Sequence, residues 1–226
     1  MRKRPALLPT TRTSTGILVN ELLLAQLKAC PVCRGELSSR SDECPGCGAQ
    51  LAPYYEQIDE ANRTLTEAFN AVTRGEIERA RELGGKAQAI TPLVTENVAL
   101  LQARIALSEK RFADAWEKAQ GLPDTVKEKS GLLHEIVSLH EAETTGKQHF
   151  NLALTSARRE YYVDASYHIE RAIELIPYLA PVWRLAVKIE LKRDRYEIAL
   201  QHLEEGLRRF PNETYLASLE LDRSAP

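Results

Sequence analysis

The chain has 226 residues, a formal net charge of −2, and 43% apolar but only 6% aromatic side chains. That balance excludes binding to nucleic acid or an acidic membrane through bulk charge, and the apolar content suffices for a substantial core. No apolar run reaches the roughly 18 residues that cross a bilayer, and no apolar leader follows Met1-Arg2-Lys3-Arg4, so a cytoplasmic protein without membrane contact is expected.

Residues 1–16 are basic and rich in Pro and Thr, with Arg2, Lys3, Arg4 and Arg12 and no acid. They carry too little apolar surface to offset ordering entropy, so a disordered arm is expected. It is either a solvated tail or an electrostatic arm for nucleic acid or an acidic protein surface. Residues 17–28 include Ile17, Leu18, Val19, Leu22, Leu23, Leu24, Ala25 and Leu27. They predict a short amphipathic helix that must pack in cis or on a partner.

All four cysteines fall in one stretch, Cys30-Pro31-Val32-Cys33 and Cys44-Pro45-Gly46-Cys47. Each C-P-x-C makes a tight turn that aims two sulfurs at one centre, and two such pairs form a tetrahedral four-cysteine zinc site. Gly48 can take φ > 0 and free backbone N–H groups to donate to the thiolates, whereas Arg34 stands at the matching place in the first knuckle. Leu37 and Leu51 can cap the apolar side. Disulfides suit a secreted protein, and a thioredoxin-like redox pair needs a βαβ context. A rubredoxin-type iron site uses the same knuckles in a larger β-scaffold. Residues 29–52 resemble the short bacterial zinc ribbon, in which two such knuckles cap a small β-ribbon. The resemblance implies one structural Zn2+ on Cys30, Cys33, Cys44 and Cys47, with no open coordination position.

From residue 53 the pattern is helical. Apolar and small residues recur at helical spacing over 54–73, 76–89, 96–109, 111–121, 125–143, 148–159, 163–175, 180–193 and 196–209. Gly75, Pro92, Pro123, Pro177 and Pro211 punctuate them, and Asn212 is placed to N-cap a last helix over 213–221. Tyr162-Val163-Asp164-Ala165, Ile169, Ala172 and Pro177 return 34 residues later as Tyr196-Glu197-Ile198-Ala199, Leu203, Gly206 and Pro211. A fixed period of this length marks stacked helix pairs.

This pattern resembles the tetratricopeptide repeat, best over 180–213 with Trp183, Ala186, Val187, Tyr196, Ala199, Leu203, Gly206 and Pro211. Glu190 departs from it, standing where that family prefers Tyr. The expected fold is mainly α: a solenoid of helix pairs after a small zinc ribbon. Repeats one and two take 53–123, repeats three and four 146–211, and 212–226 is a capping helix and tail. The spacing from Ile77 to Phe112 is 35 residues, but from Phe112 to Tyr162 it is 50. The surplus is one further helix within 124–145, read as an unpaired spacer, a kink between two halves, or a divergent repeat.

No phosphate-binding glycine loop, nucleophile elbow or H-E-x-x-H occurs, so no enzyme is expected. His134 and His140, six residues apart, lie on different helix faces and are not read as a metal pair. The repeat resemblance implies that each first helix lines an inner groove. That places Arg104, then Phe150 and Arg158, then Arg184, Lys188 and Lys192 on it, with Asn62, Leu65, Phe69 and Val72 at its start. Arg184, Lys188 and Lys192 form one stripe, or are simply solvated. The expected function is a protein-interaction scaffold whose groove takes an acidic or amphipathic partner segment. The alternative is a nucleic-acid-associated factor using the ribbon and the basic arm, against which stand Glu36, Asp42, Glu43 and the lack of base-stacking aromatics in the ribbon.

Overall fold

The structure, a computed structural model, describes residues 25–219. The arm 1–16, most of the predicted helix 17–28 and the last seven residues lie outside it. Among the described residues the α-helices are α1 Ala52–Thr73, α2 Ile77–Ile90, α3 Thr95–Ser108, α4 Phe112–Gln120 and α5 Glu128–Arg158. They continue as α6 Tyr162–Leu175, α7 Ala180–Lys192, α8 Tyr196–Arg209 and the short α9 Thr214–Ala217. Helices neighbouring in sequence pack as pairs, as a helical solenoid requires, and the cysteine module precedes them. No described helix is long and apolar enough to cross a membrane.

The chain divides into two compact units, one up to Ile136 and one from Val137 onward. In the first, α1 packs on α2, α2 on α3, and α3 on α4. Its core joins Ala61, Leu65, Ala68 and Ala71 of α1 to Ala80 and Ala87 of α2 and to Val98, Leu101 and Ile105 of α3. The alanines let the backbones approach closely. At Gly84 even a methyl group would lie 2.7 Å from Leu101 Cδ2. In the second unit Ala153, Ala165, Ile169, Ala172, Ile176, Val182, Ala186 and Ile189 make one cluster, and Trp183, Val187, Ala199, Leu203 and Leu216 the next. Each buried set follows the 3–4 residue spacing of one helical face.

The turns inside the pairs share one geometry. After α1, the Glu76 N–H donates to Ala71 O and the Gly75 N–H to Val72 O, with Gly75 at φ 76°. This pair of hydrogen bonds across a left-handed residue closes a helix by satisfying its last carbonyls. It recurs at Lys110 (φ 61°), Glu160 (φ 63°) and Asp194 (φ 57°). There Arg111, Tyr161 and Arg195 N–H reach back to Ala106, Ser156 and Glu190 O. In each case the next helix starts two residues on. The helices before Pro177 and Pro211 end as expected, since proline disfavours helix in the residue before it.

Three expectations are corrected. Residues 25–28, the end of the predicted helix 17–28, are not helical. Both backbone groups of Ala25 are taken by the Asn62 carboxamide, with Ala25 N–H to Oδ1 at 3.0 Å and Nδ2 to Ala25 O at 3.1 Å, and Lys28 O accepts from Leu37 N–H. The helices predicted over 125–143 and 148–159 are one, the unbroken α5. Nothing in 144–147 forbids helix, and Gly146 is a contact residue: a methyl group there would lie 2.8 Å from Ile176 Cγ2 and 3.0 Å from Leu175 Cβ. The last helix is capped by Glu213, whose carboxylate accepts from Leu216 N–H at 2.6 Å, and not by Asn212; it is the short α9, closed at Ser218 rather than running on through 219.

Candidate metal centre and partner surface

The two cysteine knuckles are built alike, fourteen residues out of register. Cys30 N–H donates to Gly35 O, Arg34 N–H to Cys30 O and Leu37 N–H to Lys28 O. Cys44 N–H donates to Ala49 O, Gly48 N–H to Cys44 O and Leu51 N–H to Asp42 O. A single antiparallel bridge closes each turn, Ala29 with Glu36 and Glu43 with Gln50, so the ribbon's β-structure is reduced to these two pairs. Arg34 (φ 61°) and Gly48 (φ 72°) occupy the equivalent left-handed position, and the arginine adopts the backbone that glycine holds in the other knuckle.

This brings the four sulfurs within 4.8 Å of one another. Cys30 and Cys47 Sγ are 3.8 Å apart, and Cys33 and Cys44 Sγ 3.7 Å. A tetrahedral ion with metal–sulfur bonds of about 2.3 Å needs ligand edges of about 3.8 Å. The residues present therefore fit a four-thiolate ion. The Cys33 and Val32 backbone N–H groups favour the Cys30 thiolate against burial and bring that thiol down to about 6. At Cys47 the Ala49 backbone N–H favours the thiolate, but the neighbouring sulfurs and burial outweigh it and push the thiol up to about 12. A closed set of this kind holds an ion but leaves no position for substrate.

The module is seated on the start of α1. Leu51 is fully buried and packs with Cys30, Cys44 and Tyr55. Its carbonyl accepts from the Tyr54 and Tyr55 N–H groups, so the last residue of the second knuckle opens the helix. Arg40 reaches from the loop between the knuckles to Asp59, at 2.7 and 3.2 Å, and lies 4.7 Å over the Tyr55 ring. That pair holds the Asp59 carboxyl below its ordinary value, chiefly through the Arg40 hydrogen bond.

The residues predicted to line a groove do not share one environment. Arg104 is mostly buried and ion-paired with Glu135 of α5. Phe150 packs against the core of the second unit, and Arg158 is exposed at the end of α5. Asn62 and Leu65 are buried, the former beneath Ala25. Arg184 and Lys188 come together on Tyr215 of α9, 5.9 and 4.6 Å from its ring, and Arg184 also pairs with Glu213 at 3.4 Å. Lys192 is exposed. Sequence reasoning missed that α9 covers part of this stripe, because Tyr215 carries no periodic signal of its own.

Glu190 is fully buried. It accepts from Ser166 Oγ at 2.5 Å and from Arg193 at 2.9 and 3.2 Å. Its departure from the repeat pattern is thus an internal polar junction between α6 and α7. Sequence reasoning also missed the apolar side chains that stay exposed: Val163 and Tyr167, one turn apart on α6, are 71% and 60% exposed, and Tyr161 before them is 61% exposed. Comparison with family models, curated proteins and solved structures returned no match to this chain.

Proposed function

We propose that the chain is a protein-interaction scaffold without chemistry of its own: a tetratricopeptide-like helical array that holds a partner segment, with a structural Zn2+ in the cysteine module. The observation that carries this reading is the exposed set Tyr161, Val163 and Tyr167, since tyrosines left in water beside a packed helix pair are the residue type that dominates interface energy. The exposed cations Arg158, Lys188 and Lys192 belong to the same unit and suit an acidic or amphipathic partner. Zinc is preferred over iron because four thiolates in a small closed module suit a redox-inert tetrahedral ion. The ribbon gives the nucleic-acid reading little support: Arg40 is tied to Asp59, and the stretch also carries the acids Glu36, Asp42 and Glu43.

The test is affinity capture from the native host with wild type, Val163→Glu/Tyr167→Glu and Lys188→Glu/Lys192→Glu. Loss of the same partner in either variant, with unchanged helical circular dichroism, supports the scaffold reading. Retention of every partner by both variants removes it. Metal analysis of purified protein should find one zinc per chain, and iron in its place would reassign the ion.

A further inference from the structure

His149 of α5 and His168 of α6 face each other with Nδ1 atoms 3.0 Å apart and ring centroids 5.2 Å apart, the rings tilted by 38°. Both are half-buried. We propose that this pair is a second metal site, which takes a divalent transition ion with a preference for imidazole, such as Ni2+, through both Nδ1 atoms.

The geometry suits chelation. Metal–imidazole bonds of about 2.0–2.1 Å, opened by roughly 90–110°, place two nitrogens about 2.9–3.4 Å apart. The observed separation lies in that range before any ion enters. The pair is held there by packing that histidine itself does not supply. Ala153, one turn after His149, and Ala165, Ile169 and Ala172 around His168 are all fully buried, so neither helix position is free to turn. Gly146, one turn before His149, lies against Ile176 and Leu175 and brings α5 and α6 close enough for two imidazoles to meet near their roots. Tyr167 packs edge-on against His168 at 5.2 Å and screens one side.

In the metal-free pair one Nδ1–H donates to the other Nδ1. Binding moves that ring's proton to its Nε2 and turns both Nδ1 lone pairs to the ion. Among the described residues, no third His, Cys, Asp or Glu joins the two in a ligand cluster. Water therefore completes the coordination, and the site is exchangeable, unlike the closed cysteine set. Two nitrogen ligands favour Ni2+, Cu2+ or Zn2+ over Mg2+ or Ca2+, which take oxygen. An ion here fastens α5 to α6 beside the exposed Tyr167 and couples metal occupancy to that surface.

The test is calorimetric titration of the full chain with Ni2+ after its cysteine cluster has been saturated with Zn2+, with the imidazole resonances followed by NMR. One further equivalent should bind and broaden the His149 and His168 ring signals. His149→Ala and His168→Ala should each weaken it by about tenfold or more, since even outer-shell partners of metal ligands are worth that much. His134→Ala/His140→Ala should leave it unchanged. Full-strength binding in the His149 and His168 variants overturns the proposal. So does a wild-type spectrum in which nickel leaves both rings unbroadened, a readout that does not depend on whether a variant folds.

Discussion

Gly131 and Gly146 both lie in α5, yet alanine should act in opposite directions at the two positions. A methyl group at Gly131 meets nothing within 4 Å, so Gly131→Ala should gain helix propensity of up to about 1 kcal/mol. At Gly146 it would press on Ile176 and Leu175, and Gly146→Ala should cost about 1–3 kcal/mol through overpacking. Thermal melts of the two single variants check this, and a rise at both would mean that α5 and α6 do not meet there. His202 of α8 supplies a pH prediction. Burial holds its imidazole below the ordinary value, while Glu190 acts weakly the other way. A base depressed in the fold takes up protons more readily when unfolded, so its stability contribution is complete above about pH 6.5 and is lost as pH falls below it. The melting temperature should fall between about pH 7.5 and about pH 5, above the carboxylate range, and His202→Leu should lessen that fall. Equal pH dependence in the two proteins would contradict the assignment. Much at this scale was illegible in the sequence: a glycine's spacing does not say whether its missing methyl makes room for a neighbour, and Glu190 reads as a misfit until Ser166 and Arg193 are seen around it.

Helices α1–α4 and α6–α8 were legible, because apolar spacing and the closing prolines mark them within a residue or two, whereas α5 was read as two helices and the last helix too long. The residue that closes each first helix was not. Gly75 announces itself, but Lys110, Glu160 and Asp194 adopt the same left-handed backbone without the residue type that signals it. Glu160→Gly should therefore stabilise the second unit by about 1 kcal/mol, measured by urea denaturation. A loss would show that the Glu160 side chain contributes more than its backbone strain costs. The cysteine set was fully legible from spacing, but its seat was not. Leu51 serves both the knuckle and the first turn of α1, so stripping any bound metal with a strong chelator, or Cys44→Ser, should unfold 29–52 and fray that first turn while most helical circular dichroism remains. Collapse of the whole helical signal would make the module integral to the helices behind it.

Across the whole chain, the boundary between the two compact units lies after Ile136, between Phe112 and Tyr162 where the sequence spacing falls out of phase. What the spacing could not show is that no connector marks the place, because local pattern records where a helix can break and not whether it does. Leu132 and Ile136 of α5 are buried in the first unit, where Glu135 also holds Arg104, and Ala153 is buried in the second. Each unit thus holds its own stretch of this helix. For anyone dissecting the gene, this rules out a cloning boundary at either end of α5. Fragments that leave out α5, 25–127 and 159–219, each lose buried residues of their own unit and should express as insoluble or non-cooperative material. Fragments that overlap, 25–158 and 128–219, each carry all of α5 and should melt cooperatively by circular dichroism. The halves are separable only if each keeps its own stretch of α5.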